Sequence, residues 1–342
     1  PFASIDIHNN TGFNPHYACV NLLNSHGLQL AKLFSDTTVY FTNPKGVQSS
    51  AFSDFCPAIV LECGQSGDAD GICRPVEGSL LTTPWSPDGQ HGQVMLSMFD
   101  GDGTPYMGDP RHVLKQVVSR FQEAGWNPVV AAELEFSLVH WDNLTPGHTC
   151  PSPEGGTPVG GNMYSLDVFN QHQDMMEDLR LACELQDLPF DGVVKESAPS
   201  QYEINMQHVD SPVLAAKQIM MMKRLIKGVV GKYGLVASFM PKPFEEEAGN
   251  GMHVHCSVLD EQGNNIFDDG TERGTPLLHQ AIAGCLDHMA DSVAIFAPSY
   301  NAYRRFQPGS HAPTFPSWGY ENRTVSVRVP AGNTAARRQE HR

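Results

Sequence analysis

Three stretches of this chain place acids and histidines at every second position with apolar residues between them, and few folds accommodate that pattern. In AAELEFSLV, Ala131 to Val139, the alternation of a β-strand puts Glu133 and Glu135 on one face and Leu134, Phe136 and Leu138 on the other. In KESAPSQYEIN, Lys195 to Asn205, Glu203 shares strand parity with Gln201 and Asn205, and Glu196 lies on the preceding loop. In GNGMHVHCSVL, Gly249 to Leu259, His253, His255 and Ser257 share one face, opposite Met252, Val254, Cys256 and Val258. A lone E-x-E is ordinarily a half-buried strand with two solvated acids. Recurrence on three strands points instead to one polar cavity lined by a sheet. Carboxylates crowded there need counter-charge, because uncompensated buried anions take up protons. Glutamate oxygens with imidazole suit Mg²⁺ or Mn²⁺, and the absence of cysteine from the set argues against a structural zinc site.

The remaining segments supply cover for such a sheet. Asp109 and Pro110 open a helix whose apolar residues Val113, Leu114, Val117, Val118 and Phe121 recur at helical spacing up to Gly125, and a strand follows over Val129 to Val139. Thr145 to Gly161 reads as a loop by its Pro/Gly content. Beyond it the pattern predicts a helix over Asp167 to Leu188 and a strand over Gln201 to Met206. A helix over Pro212 to Tyr233 follows, with Ser211 as N-cap and Gly234 past its end, then a strand over Met252 to Leu259. A helix over Pro276 to Phe296 and a strand over Thr324 to Val329 complete the series, and Met220 to Met222 read as core packing. Residues 1 to 100 are rich in Ser, Asn, Gly and Pro with short β-prone runs, Thr38 to Thr42 and Val94 to Met98. The expectation is an α+β protein, a small β-rich N-terminal domain over 1–100 and a larger domain over 101–342 with helices on a largely antiparallel sheet; the alternation alone also allows α/β.

Composition narrows the partners. Lys+Arg 22 against Asp+Glu 38 gives a net charge of −16, and an anionic surface repels phosphate backbones, so no nucleic-acid partner is expected. No run approaches the roughly 18 apolar residues of a membrane span, so no membrane association is expected either. Eight cysteines without C-x-x-C spacing read as free thiols of a cytoplasmic protein, and PFASIDIHNN lacks the basic start and apolar core of a signal peptide. Against this acidic background Arg304, Arg305, Arg323, Arg328, Arg337, Arg338 and Arg342 crowd the C-terminal part. They read either as a solvated basic face or as an anion site, since guanidinium binds phosphate and carboxylate in bidentate geometry. Arg323 and Arg328 have opposite strand parity, so a shared cavity requires a bulge or Arg323 lying before the strand. The DGDG segment from Asp100 is a turn: Pro105 and Arg111 stand where a calcium loop needs glycine and glutamate. There is no G-x-x-x-x-G-K-[ST] phosphate loop.

The ordered set is E-x-E, K-E-S-A-P-S-Q-Y-E, F-M-P-K-P with G-N-G-M-H-V-H, N-A-Y-R-R-F, E-N-R-T-V-S-V-R-V-P and R-R-Q-E-H-R, and in that order it resembles the glutamine synthetase superfamily over roughly residues 70 to 342. The step from Glu196 to Glu203 and the segment SWGYENRTVSVRVP look most like its γ-glutamylpolyamine (glutamate–putrescine) ligase branch. The resemblance implies a β-grasp-like N-terminal domain, a catalytic domain, and a homo-oligomer of stacked, dodecamer-like rings. It implies ATP as co-substrate and two or more Mg²⁺ or Mn²⁺ ions per active site. It assigns Glu135, Glu196 and Glu203 to one metal and Glu133, His253 and Glu340 to a second. His255, Ser257, Arg328 and Arg338 are assigned to ATP, and Arg323 to the transferring phosphate. Arg305, Arg342 and backbone around Gly249 are assigned to glutamate.

Three positions depart from the family pattern. His311, after Ser310, stands where ammonia-using members carry a flap glutamate, which favours a larger amine over ammonia. Ala248 replaces an asparagine that touches glutamate in glutamine synthetases, and NSHGLQ, residues 24–29, replaces a basic Arg-Gly-Lys turn. The implied activity is an ATP-dependent ligase of polyamine catabolism, joining glutamate to an amine such as putrescine through a γ-glutamyl phosphate. The alternatives are glutamine synthetase proper and a non-catalytic structural relative. A pocket for the amine is expected on loops that include Trp318 and Tyr320.

Overall fold

Sixteen consecutive residues, Asn127–Asp142, form one long strand, and the larger part of the molecule is laid out on it. The computed structural model describes residues 4–10, 17–20, 28, 31, 38–40, 58–65, 72–86, 91–142, 145–148, 163–307 and 309–342. They divide into two units, residues 1–74 with 96–109, and residues 75–95 with 110–342. In the first, β1 (Ser4–Asn10), β2 (Tyr17–Val20), β3 (Thr38–Tyr40) and β4 (Ala58–Gln65) form a sheet in the order β1-β4-β2-β3. β5 (Ile72–Pro75) pairs with β8 (Leu96–Phe99), and in the second unit β6 (Leu81–Thr82) pairs with β7 (Gly92–Gln93). The run expected at Val94 to Met98 is thus displaced toward Phe99, and Phe41 and Thr42 of the other expected run lie outside the described residues. NSHGLQ, apart from Leu28, lies outside them too.

The second unit holds α1 (Pro110–Glu123) and β9 (Asn127–Asp142), then β10 (Thr145–His148), α2 (Leu166–Asn170), α3 (Gln173–Leu185), β11 (Phe190–Lys195) and β12 (Gln201–Met206). It continues with α4 (Pro212–Lys232), β13 (Val236–Ser238), β14 (Met252–Leu259), α5 (Pro276–Phe296), α6 (Tyr300–Tyr303), β15 (Trp318–Tyr320), β16 (Val327–Val329) and β17 (Gln339–His341). Nine strands make one sheet along the path β11-β12-β9-β14-β17-β16-β15, with β10 and β13 also paired to β9. Every pairing is antiparallel except β15 with β16, the α+β arrangement expected.

Alternation decides which face is covered. Leu134, Phe136 and Leu138 of β9 join Tyr202, Ile204 and Met206 of β12 under Leu179 of α3 and Met222, Leu225, Ile226 and Val229 of α4. Val258, Val327 and Val329 meet Leu278 and Ile282 of α5 in a second cluster on the same sheet face. The caps match the sequence: Ser211 Oγ accepts from Leu214 N, and Thr275 Oγ1 from Leu278 N. Gly234 just past α4 takes φ +70, which glycine adopts without a side-chain clash.

Several elements differ from expectation. The helix expected over Asp167 to Leu188 is two, broken at Gln171 and His172, where the backbone at His172 is non-helical (φ −117, ψ 23). There the His172 ring meets Tyr202 edge-on at 6.0 Å. The strand expected from Thr324 begins at Val327, because Arg323 to Ser326 form a turn in which Asn322 Oδ1 accepts from Thr324 N. In the segment expected to be a loop, Thr145 to His148 pair with the end of β9, and residues 149–162 lie outside the described residues. Met221 and Met222 are core, but Met220 is 60% exposed, one helical step off the buried stripe. No helix among the described residues is long and apolar enough to cross a membrane.

Candidate active site

On the face of the sheet opposite the helices, register sets the polar residues side by side. Glu135 of β9 stands opposite Glu203 of β12, and Glu133 stands opposite Asn205 on one side and His253 of β14 on the other. β17 then puts Glu340 opposite His255, and β16 puts Arg328 opposite Glu340. Glu133 is the hub: Oε2 accepts from His253 Nδ1 at 2.8 Å and Oε1 from His255 Nε2 at 2.7 Å. His253 Nε2 lies 3.9 Å from Glu135, and His253 Nδ1 lies 3.8 Å from Glu340. Arg328 pairs with Glu340 at 2.9 Å, Arg342 pairs with it at 3.5 Å, and Arg338 Nε donates to His255 Nδ1 at 3.1 Å.

Behind the acids runs a buried amide network. Gln201 Nε2 donates to Glu135 Oε2, Gly249 O and Asn250 Oδ1, and Glu135 Oε2 also accepts from Gly251 N at 2.7 Å. Asn250 Oδ1 accepts from Ser137 Oγ, while its Nδ2 donates to Ser238 O and Met240 O. The GNG segment is glycine for want of room. A Cβ on Gly251 would stand 2.7 Å from Arg305 Nη2 and 3.2 Å from His253 Nε2, and one on Gly249 would stand 2.3 Å from Pro241 O.

The electrostatics show what the cluster lacks. Burial pushes Glu203 up, the charges of Glu133, Glu135 and Glu196 push it further, and it reaches about 8. Glu196 is raised by burial and by Glu135. Burial also works against ionised Glu133, but hydrogen bonds from His253 and His255 and their charge hold it well below the usual carboxylate range. Burial lowers Arg305, as does Arg342, while Glu135 opposes them. A site that must protonate one acid to tolerate the others is short of positive charge.

Two triads present donor atoms within 4.8 Å of one another, Glu133 with Glu203 and His253, and Glu133 with His255 and Glu340. Carboxylate and imidazole donors of this kind fit a divalent cation. Glu133 belongs to both triads, and His255 stands beside Glu340 as well as beside Arg338. Adjacent lies a cavity of about 1190 Å³ lined by Glu133, Asn205, His255, Ser257, Asn333 and Arg338 among others, roomy for a nucleotide-sized ligand. Arg328 and Arg342 each keep a buried Nε without a hydrogen-bond partner among the described residues, donors suited to an anion.

Not every anticipated residue gathers here. Arg323 sits in the turn before β16, and His311 in the segment before β15; both are exposed, and no hydrogen bond or ion pair among the described residues ties either to the cluster. Trp318 and Tyr320 lie opposite Val327 and Val329, on the helix face, where Trp318 packs on His279 of α5 and Tyr320 Oη meets His279 Nε2 at 2.8 Å. Sheet parity thus turns the two aromatics away from the acids. Sequence reasoning passed over Gln201 and Asn250 as working parts, although Gln201 shares the parity of Glu203.

Residues 107–342 match the glutamine synthetase catalytic domain. The gamma-glutamylputrescine synthetase PuuA of Escherichia coli K12 is 40% identical over 296 residues, covering 84% of this chain and 62% of the relative. A glutamine synthetase of Clostridium saccharobutylicum is 32% identical over 277 residues, covering 80% of this chain and 61% of the relative. A solved GmaS–ADP complex superposes with a TM-score of 0.69 at 27% identity, over 80% of this chain and 62% of that one. The chain therefore spans about three fifths of the length of these relatives. A family match over most of the second unit, on a sheet whose polar face carries the acids and histidines in register, makes this chain a member of the glutamine synthetase family.

Proposed function

We propose that the chain belongs to an enzyme, an ATP-dependent ligase that joins the γ-carboxyl of glutamate to an amine of the putrescine or polyamine class. The observation that carries this reading is the pair of triads sharing Glu133, ringed by Arg328, Arg338 and Arg342, in a chain 40% identical to a gamma-glutamylputrescine synthetase. We assign residues 1–100 to a β-grasp-like N-terminal domain and 101–342 to the catalytic domain, within a cytoplasmic homo-oligomer of stacked rings.

Glu133, Glu203, His253 and Glu340, with Glu135 and Glu196, would hold two divalent cations, Mg²⁺ or Mn²⁺, which when bound would neutralise the acids and the phosphate oxygens. His255, Ser257, Arg328 and Arg338 hold the nucleotide, and Arg305, Arg342 and the Gly249 backbone receive glutamate. The family resemblance assigns Arg323 and His311 to the reacting centre. A carboxylate is a poor acyl donor. Its oxygen therefore takes the γ-phosphoryl group of ATP, ADP leaves, and the acyl carbon becomes open to a nitrogen. The amine attacks that carbon, phosphate departs, and the nitrogen sheds a proton. With an alkylamine pKa of about 10.4, only on the order of one molecule in a thousand is unprotonated at pH 7. The site must therefore favour the unprotonated amine.

The test is phosphate release by the purified full-length protein with ATP, glutamate and Mg²⁺ against ammonia, methylamine, ethanolamine, putrescine and spermidine. Selectivity for a diamine or polyamine is the expected result. Activity with ammonia alone returns the protein to glutamine synthesis, and silence across the panel refutes the enzyme reading.

A further inference from the structure

We propose that Lys195 is a positioning residue, whose buried ammonium holds the backbone of the loop carrying Glu196 and so sets where the Glu196 carboxylate stands in the acidic cluster. The inference rests on the reading of Glu196 as a metal ligand given above. Lys195 ends β11 opposite Tyr202, while its neighbour Val194 stands opposite Glu203. Glu203 stands beside Glu135 on the polar face of the sheet, so alternation sends Lys195 to the helix-covered face. There it is 2% exposed, with Nζ 5.7 Å above the Tyr202 ring. Nζ reaches back beneath the loop and donates to Glu196 O and to Ala198 O, each at 2.6 Å. The rest of the loop is tied to the strand that follows it: Glu196 N donates to Gln201 O at 2.9 Å, and Ala198 N donates to Gln201 Oε1 at 3.1 Å. The ammonium thus clamps two carbonyls on either side of Ser197, and Glu196 is left with its side chain as its main freedom.

An apolar side chain of similar length would fill the space over Tyr202 but would leave the carbonyls of Glu196 and Ala198 without this donor. What the ammonium adds is geometry, two short charge-assisted hydrogen bonds on the one segment that must hold a carboxylate still without being part of a strand.

The experiment compares Mn²⁺ binding, by electron paramagnetic resonance of free Mn²⁺, in full-length wild type, Lys195→Met, Glu196→Gln, the double variant, and Leu179→Ala as a core substitution on α3. Circular dichroism at the titration temperature establishes that each is folded. The expected result is that Lys195→Met raises Kd about 10- to 100-fold, the range for loss of a group supporting a metal ligand, and that adding it to Glu196→Gln changes little further. Lys195→Gln, which keeps an amide donor toward the carbonyls, should give a smaller rise and serves where the Met variant does not fold. A folded Lys195→Met protein binding Mn²⁺ within twofold of wild type overturns the inference, as does an equal rise in Leu179→Ala or full additivity with Glu196→Gln. A wild type that binds Mn²⁺ while Glu196→Gln leaves Kd unchanged overturns instead the reading of Glu196 as a ligand.

Discussion

Replacing Glu203 by glutamine should stabilise the metal-free protein at alkaline pH. The ordinary carboxyl value is 4.5, and in the folded chain burial and three neighbouring acids push Glu203 to about 8. A group whose folded value is raised contributes stability that is fully present below 4.5 and is lost as pH rises toward 8. Between those limits the unfolded chain has released the proton and the folded chain retains it, so unfolding free energy falls by about 1.4 kcal/mol per pH unit. Over the roughly three units from pH 5 to pH 8 that amounts to about 4 kcal/mol as an upper figure. Glutamine keeps the size and the polar atoms and has nothing to titrate. Urea unfolding in EDTA, run on both proteins from pH 5 to 8, isolates the effect, because contributions common to both, such as those of the buried His172 and His341, cancel in the difference. The two should be of similar stability at pH 5, with the variant progressively more stable toward pH 8; in saturating Mn²⁺ the order should reverse. A difference that stays flat with pH refutes the argument, since the strain attributed to crowded acids would then be absent.

Asn250→Ala removes an amide whose oxygen and nitrogen make four hydrogen bonds, to Ser137, Gln201, Ser238 and Met240, and should cost about 3 kcal/mol in a urea melt through the groups it strands. Gly251→Ala puts a methyl 2.7 Å from Arg305 Nη2, so the KM for glutamate should rise at least about tenfold with less effect on the KM for ATP, read by steady-state phosphate release. Ser211→Ala deletes the N-cap of α4 and should lower stability by about 1 kcal/mol without changing Mn²⁺ affinity, as calorimetry and metal titration together would show.

The strands of the site were legible because period two survives burial: parity alone separated Glu133, Glu135, Glu203, His253 and His255 from the apolar residues between them, and the sheet register agrees. The helices α4 and α5 were legible from helical spacing, with Ser211 marking the start of α4. A cavity shared by Arg323 and Arg328 needed Arg323 before the strand or beside a bulge; Arg323 does precede β16, but exposed in its turn and without a hydrogen bond or ion pair to the cluster among the described residues. What stayed hidden depended on contacts distant in sequence. Nothing between Asp167 and Leu188 announces a break at His172, whose ring partner Tyr202 is distant in sequence. The clamp of Lys195 and the branching of Gln201 use backbone carbonyls and amides, which carry no residue-type signal. The pairing of His255 with Glu133 follows from a 2.7 Å approach that motif order does not encode.

The in-register pairing of β12, β9, β14 and β17 makes the complete centre depend on one alignment of the strands. Sliding β14 by one residue along β9 would turn Met252, Val254 and Cys256 toward the acids and both histidines toward the apolar face, leaving the acids of β9 and β12 without their imidazole partners. Cations that bind only the correct pairing then draw the population toward it by mass action. The ions that serve the chemistry would in this way also proofread the sheet, rewarding one alignment of four strands and no other.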